Sequence, residues 1–330
     1  MSSHLLARFK VASPDFPEPT LYCRHKDGTA TPDGLVLGNG ARATFDTTFG
    51  VFAAGRWGRL TDVQDVLAVV DLSGRARVEL VSHSDGVDTV IASVDAGDTV
   101  ECPNLRSLAA ESLYVAVTAL EDGVVVRGGE WRTRTAPQRD VRLGVAITTF
   151  NRQEMKGHLS VLVVDNARNL DPQVPAGAPF RLVGNPNLGG AGGFARGLIE
   201  FREEGWSTHV VFMDDDISLE PEAIVRTITL LSHATSPDLR VHGAMLSEEQ
   251  PWLQFEAGSH YEYRAVYPLR ALGRGIDLRR RGEVLHDRLE EDLHYSAWWF
   301  TVFPMHIAKE NPLPVFVRGD DVAFGLMHTG

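Results

Sequence analysis

Up to about residue 138, apolar residues come in short β-type runs, at Ala43–Phe52, Val63–Leu72, Ala76–Ser82, Thr89–Val94, Tyr114–Leu120 and Val124–Arg127. Pairs suited to tight turns separate them: Ser73-Gly74, Asp85-Gly86, Ala96-Gly97 and Asp122-Gly123. Short strands at this spacing, with no convincing helix between them, predict an antiparallel β-sandwich over residues 1–138. The polar run Arg132-Thr133-Arg134-Thr135-Ala136-Pro137 reads as a linker.

The pattern then changes. Val141–Thr149, Ser160–Asp165, Phe180–Val183 and Val210–Met213 are apolar runs of strand length. Helical spacing appears over Gly193–Glu204 and Pro221–Ser232, the second with proline in its first turn, where proline is tolerated. Strands alternating with helices predict an α/β, Rossmann-like domain with a mostly parallel sheet over residues 139–330. Ligands of such sheets bind beyond the carboxyl ends of the strands. Four polar segments follow those ends: Thr148–Arg152, Asp165-Asn166, Asn185–Gly190 and Asp214–Asp216. One spacing is short, because Asn151–Leu159 has to connect two strands. A parallel crossover needs about a dozen residues or more, usually with a helix. Either the strands pair unusually, or a crossover helix near 152–158 is absent.

Composition narrows the function. The length of 330 residues fits two domains, with 43% hydrophobic residues to build their cores. A net charge of -12 argues against a nucleic-acid partner. Cys23 and Cys102 have no metal spacing and are too few for a disulfide framework, so a reducing cytoplasm is expected. No run reaches the ~18–20 apolar residues that span a bilayer, and Met1–Lys10 lacks the apolar segment of a signal peptide. Peripheral contact with a membrane surface stays open, with Arg279-Arg280-Arg281 as its candidate and a solvated loop as the plainer reading.

The chemistry concentrates in acidic clusters. Val210–Met213 runs directly into Asp214-Asp215-Asp216. Alternate residues of an extended strand end point the same way, so Asp214 and Asp216 can share one divalent cation, Mn²⁺ or Mg²⁺. An acidic loop capping the next helix is the plainer alternative. Gly190, Gly192 and Ala195 match the loose pattern G-x-G-x-x-[GA] of dinucleotide sites. The motif follows the third strand of its domain instead of the first, which weakens a dehydrogenase reading. It suits either close packing of a helix start or close approach of a nucleotide-sugar. Asp320-Asp321 is a second acidic pair, in which one partly desolvated carboxylate can serve as general base, or cap the helix Val322–Met327. Trp298-Trp299 is either core or a platform for a sugar ring.

These segments together resemble family 2 inverting glycosyltransferases of the GT-A fold, and more closely the actinobacterial galactofuranosyltransferases. The resemblance rests on Thr149–Arg152, Val164–Asn166, Asn187–Phe194, Phe212–Asp216, Ala297–Phe300 and Arg318–Leu326, with Phe45–Phe52 and Gly55-Arg56-Trp57 in the β-rich region. It implies a GT-A catalytic domain preceded by an all-β sandwich. It also implies transfer of galactofuranose from a UDP-sugar to a glycan or lipid-linked glycan acceptor of the cell wall. Phe150, Arg152, Asn166 and Asn187 would then bind the donor, with Asp215 near the ribose. Asp214 and Asp216 would hold the metal, Trp298 and Trp299 would line the acceptor site, and Asp321 would be the base with Asp320 beside it. The family's histidine metal ligand and its C-terminal helical region have no counterpart up to Gly330. Another nucleotide-sugar donor, such as a rhamnosyl donor, and a non-catalytic sugar-binding protein are the alternatives; homo-oligomerisation is compatible with the sequence.

Overall fold

The computed structural model describes residues 3–14, 16, 18–108, 110–146, 157–170, 180–286, 293–316 and 318–328. Nine strands build the first sheet: β1 (His4–Lys10), β2 (Arg24–Thr31), β3 (Gly34–Thr44), β4 (Val66–Ser73), β5 (Ala76–Ser84), β6 (Val87–Asp95), β7 (Thr99–Cys102), β8 (Ser112–Ala119) and β9 (Val124–Thr133). All pair antiparallel, in the order β6-β5-β8-β3-β9-β4-β7, with β1 on β9 and β2 on β3. Of the predicted turns, Asp85-Gly86 closes a hairpin, while Ser73-Gly74, Ala96-Gly97 and Asp122-Gly123 connect strands that do not pair with each other. Asp85 and Gly86 both take positive φ (50° and 77°), the backbone of a tight two-residue connection between β5 and β6. Inward-facing residues of the sheet enclose a single core centred on Trp131, Phe9, Phe45 and Phe52. The indole N–H of Trp131 donates to the Gly50 carbonyl at 3.1 Å, so the ring is buried without an orphaned polar group.

Two expectations for this half change. Phe45–Phe52 is not strand: β3 ends at Thr44, and a helix, α1 (Ala54–Leu60), follows. Phe45, Phe52 and Trp57 enter the core from this turn and helix, and their apolar run mimics a strand for that reason. Arg132 and Thr133 belong to β9, not to a linker, with Arg132 paired to both Leu5 and Leu67.

The second sheet contains β10 (Leu143–Ala146), β11 (Leu159–Asp165), β12 (Phe180–Gly184) and β13 (His209–Phe212). Between β12 and β13 lies α2 (Gly189–Glu204), and after β13 comes α3 (Glu222–His233). Short elements follow: β14 (Val241–His242), β15 (Met245–Leu246), β16 (Leu253–Glu256), β17 (Ser259–Tyr261), β18 (Leu269–Ala271), β19 (Ile276–Asp277), α4 (Arg281–Leu285), β20 (Thr301–Pro304) and α5 (Asp320–Met327). The sheet order is β12-β11-β10-β13-β20-β14. β10 pairs in parallel with both β11 and β13, leaving residues 147–158 as the connection between β10 and β11. That segment is at the lower limit for a parallel crossover. β20 and β14 are antiparallel additions. Strand alternation separates the faces: Val210 and Phe212 pack toward α2, and Val211 and Met213 toward α3. α2 lies close because it carries Gly197 over β10, where an added Cβ would come within 2.7 Å of the Ala146 Cβ.

The fold class expected from the sequence is corrected by this architecture. The chain is mostly β and is dominated by the nine-stranded antiparallel sheet; it is not an α/β GT-A protein built on a mostly parallel, Rossmann-like sheet. The alternation of strand and helix holds only from Val141 to His233. Beyond it the chain makes short antiparallel ladders, which supply no crossover helices. Among the described residues, no helix is long and apolar enough to cross a membrane.

The two sheets are joined along α3. β1 pairs with β9 on one edge only, and α3 reads its backbone on the other. Glu222 accepts from the Arg8 N–H (2.6 Å), Thr229 donates to the Leu6 carbonyl (2.6 Å), and Arg226 donates to the carbonyls of Arg8 (3.0 Å) and Phe49 (2.6 Å). An edge strand whose backbone groups are occupied in this way is no longer available for strand addition.

Candidate functional site

Asp214–Asp216 follows β13 directly, and Asp320–Asp321 opens α5. The fold brings these two acidic motifs together. Burial raises the carboxyl of Asp214 to about 6, helped by the charges of Asp216, Asp215, Asp321 and Asp320. Burial also raises Asp321, against a hydrogen bond from the Val322 N–H at 2.7 Å, and Asp320 adds to the rise. Asp214, Asp320 and Asp321 are half-buried, while Asp215 and Asp216 are exposed. The result is a concentration of negative charge, partly withdrawn from water, beyond the carboxyl end of the central strand.

The glycine-rich turn holds the two motifs in register. Gly189 takes φ +76°, and an added Cβ would lie 2.1 Å from the Phe316 carbonyl oxygen. Only glycine lets the segment leading to Asp320 pass so close. A Cβ on Gly190 would meet Asp320 Oδ2 at 3.3 Å. Asn166 donates from Nδ2 to the Gly189 carbonyl (3.3 Å) and accepts from Asn185 Nδ2 (2.9 Å). Asn187 accepts from the Gly189 N–H at 3.2 Å. Asp165, buried at the end of β11, accepts from the N–H groups of Ala167 and Leu170. These polar residues build the turn, so α2 starts at Gly189, four residues before the sequence suggests.

A small cleft, open to solvent, lies against Asp321. Its lining includes Tyr295, Trp298, His242, Arg240 and His328. His242 Nδ1 is buried without a hydrogen-bond partner, and burial holds the imidazole at about 4, so it is neutral at physiological pH. Burial and the charges of Asp321 and Glu256 raise the Tyr295 hydroxyl. Burial raises Glu256, Asp321 adding and Arg274 opposing. Glu256 and Tyr295 are thus further members of the acidic centre. Glu256 sits in no recognisable motif, and only the fold brings it there.

The tryptophans do not form one platform. Trp298 is 4% exposed, in T-shaped contact with Phe194 (4.8 Å) and Phe212 (5.0 Å) on the α2 face. Trp299 packs against the core on the α3 face, its indole N–H donating to the Gly243 carbonyl at 2.8 Å. The two residues lie in the turn before β20, which sends their side chains to opposite faces of the sheet. Trp298 still contributes a wall of the pocket. Phe150 and Arg152 lie outside the described residues.

The arginine triplet is engaged by the protein. Arg279 makes two hydrogen bonds of 2.9 Å to Asp277 and stacks over Trp252 at 4.5 Å, and Arg280 lies 3.8 Å from Asp277. Arg281 reaches Asp46 (2.5 Å), Asp88 (2.6 Å) and the Tyr114 hydroxyl (3.1 Å), tying α4 to the nine-stranded sheet.

The donors near Asp214 are carboxylate oxygens, the chemistry that Mn²⁺ and Mg²⁺ accept. The raised pKa of Asp214 marks charge that a cation would neutralise. Among the described residues, no group of three or more His, Cys, Asp or Glu side chains is arranged to hold a metal. Any ion here would therefore need oxygens from its ligand or from water.

No family model matches the chain. It is 28% identical over 350 residues to the galactofuranosyltransferase GlfT2 of Mycobacterium tuberculosis, covering 90% of this chain and 53% of that protein. It is 26% identical over 347 residues to the galactofuranosyltransferase GlfT2 of Mycolicibacterium smegmatis, covering 90% and 52%. The chain thus spans about half the length of the curated relatives it matches. Likeness to solved structures is weak. A xylan-binding module, CBM15, gives a TM-score of 0.22 at 16% identity over 34% of this chain and 85% of that one. A Clostridium thermocellum xylanase 10B fragment with CBM22-1 and GH10 modules gives 0.25 at 13%, over 48% and 37%.

Proposed function

We propose that this chain carries a glycosyltransferase centre that moves galactofuranose from UDP-galactofuranose to a hydroxyl of a glycan or lipid-linked glycan acceptor in cell-wall polysaccharide synthesis. The observation that carries this reading is the meeting of Asp214 with Asp320 and Asp321, two acidic motifs over a hundred residues apart. Similarity to two proteins named galactofuranosyltransferases supports it over most of the chain.

The reaction is a single in-line displacement with inversion. Asp321, raised above an ordinary carboxyl by burial and Asp320, takes the proton of the acceptor hydroxyl as it attacks the anomeric carbon. The bond from that carbon to the UDP oxygen breaks, and its electron pair leaves with the diphosphate. A carboxylate of raised pKa is a stronger base than an exposed one. Asp320 orients the acceptor from the same helix start. Asp214 and Asp216 would hold Mn²⁺ or Mg²⁺, which when bound supplies positive charge to the departing diphosphate. Asn166 and Asn187 act on the donor by fixing the Gly189 turn against which the nucleotide lies, with Phe150, Arg152 and Asp215 as the remaining donor contacts. The acceptor enters through the pocket beside Tyr295 and Trp298.

The test is Asp321→Asn, assayed for UDP release with Mn²⁺ and a panel of UDP-sugars, alongside UDP binding by calorimetry. Transfer should fall by about 10²–10⁴-fold, the usual contribution of a general base, with UDP affinity retained. Undiminished transfer removes Asp321 from the role of base, and no release of UDP from any donor by the unaltered protein removes the transferase reading.

A further inference from the structure

We propose that the hairpin of β17 and β18 is a docking finger for an anionic lipid surface. The three most exposed large hydrophobic side chains among the described residues all sit on it: Val266 (90%), Tyr267 (87%) and Tyr263 (75%), with Leu269 at 43%. The hairpin has a defined shape. Tyr261 pairs with Leu269, the Glu262 N–H donates to the Pro268 carbonyl at 2.7 Å, and the rings of Tyr261 and Tyr263 meet at 4.9 Å. Its exposed apolar tip is therefore a built surface.

Charge selects the occupant. Residues 259–275 contain one acid, Glu262, in a chain of net charge -12; it pairs with Arg270 at 3.1 Å, which leaves Arg264 and Arg274 in excess. A locally cationic patch on an acidic molecule is complementary to phosphate headgroups, and the rest of the surface is repelled, which fixes the orientation of approach. Tyrosines flanking an aliphatic apex, with arginines behind them, match the water–hydrocarbon boundary: rings at the headgroup level, Val266 toward the acyl chains, guanidinium groups on phosphates. A sugar-reading surface would present amide or carboxylate hydrogen-bonding groups between its rings. The segment contains no Asn, Gln or Asp, and the one carboxylate between its rings, Glu262, is paired with Arg270, so a bilayer fits better than a glycan. The base of the finger is tied to the pocket wall through the Ser259–Tyr295 bridge and the Tyr261 N–H to His294 Nδ1 hydrogen bond of 2.8 Å. A membrane contact there brings the Asp321 pocket toward the surface. The lipid contact itself does not depend on the transferase reading.

The experiment is vesicle flotation of the whole chain, with phosphatidylcholine vesicles containing phosphatidylglycerol and with phosphatidylcholine alone. The unaltered protein should float only with the anionic vesicles. V266D combined with Y267D should weaken binding by at least about tenfold through loss of apolar anchoring, and Arg264→Gln should weaken it about fivefold, the worth of one arginine near an anionic surface. Arg280→Gln should bind as the unaltered protein does. Circular dichroism and light scattering on each variant report folding and mass, and Arg264→Gln keeps the test open if the double variant fails to fold. Three results overturn the proposal: no flotation of the unaltered protein, equal flotation of the tip variants, or a drop in molecular mass in the tip variants with unchanged vesicle binding, which assigns the finger to contact with a second copy.

Discussion

At the scale of single residues, Asp214 concentrates the chemistry and carries a cost. Its folded pKa, about 6, lies above the ordinary carboxylate value because burial and four neighbouring acids disfavour its charge. Such a group binds its proton more tightly when folded. The stability linked to it is fully present below about pH 4 and is lost as the pH rises through about 6. Without divalent cations, the melting temperature should therefore fall between about pH 4 and 6.5, with Asp321 adding to the slope in the same direction. Asp214→Asn should flatten this part of the profile and raise the melting temperature near neutrality by about 1–2 °C, the effect of roughly 1 kcal/mol in a chain of 330 residues. Mn²⁺ should stabilise the unaltered protein more at pH 7 than at pH 5, because the ion competes with the proton, and Asp214→Asn should lose that stabilisation. An identical pH profile in the variant assigns the titration to another group. The acidic triplet and the acidic pair were both legible in the sequence as chemistry. Their mutual proximity followed only from the resemblance, not from any local pattern, and the participation of Glu256 and Tyr295 was not legible at all.

At the scale of elements, the glycine-rich start of α2 shows how a motif can be read correctly as a close approach while its partner stays hidden. The sequence offered a nucleotide-sugar or a packed helix start. The structure sets the Phe316 carbonyl against Gly189, so the turn and the segment bearing Asp320 and Asp321 fix each other. Gly189→Ala should push that segment away: transfer should fall by at least about tenfold, while the melting temperature drops by only a few degrees, since the strain is about 1–3 kcal/mol. Equal transfer in the variant breaks the link between turn and acidic pair. The boundaries of β4, β5, β8, β11, β12 and β13 were visible to within a few residues because each carries an apolar run bounded by turn residues. β1, β2 and β7 escaped notice, since β2 is largely exposed and β7 has four residues. The paired tryptophans looked like one platform and are split between two faces by the turn that carries them.

At the scale of the whole molecule, the two sheets are bound by buried and half-buried polar contacts. Glu220 accepts from the Tyr22 hydroxyl at 2.6 Å and from Lys10 at 3.2 Å, and Glu222 and Arg226 occupy the free edge of β1. Both glutamates lie just after the acidic triplet, so the nine-stranded sheet braces the segment that carries Asp214 to Asp216. Arg226→Met removes donors from two carbonyls and the positive neighbour of Glu222, and should destabilise by about 2–3 kcal/mol, the range for hydrogen bonds to a charged group. Calorimetry should show one cooperative transition in the unaltered chain and a lower, broadened or split one in the variant. A transition unchanged in position and shape means that the joint does not couple the sheets.

The sequence alone determined the short antiparallel strands with their turns, the run of β10 to β13, the two acidic motifs, the glycine-rich turn and the absence of a basic character suited to nucleic acid. Those are properties of local periodicity, turn chemistry and charge, which need only neighbours in the chain. The tertiary structure alone decided that the molecule is mostly β, that Asp214 meets Asp321, that Phe316 fills the space over Gly189, that Trp298 is core, that the arginine triplet is bound to carboxylates, and that Val266, Tyr267 and Tyr263 are left in solvent. Each of these depends on contacts between residues far apart in the sequence, and burial, the quantity that sets both pKa and exposure, exists only once those residues have been brought together.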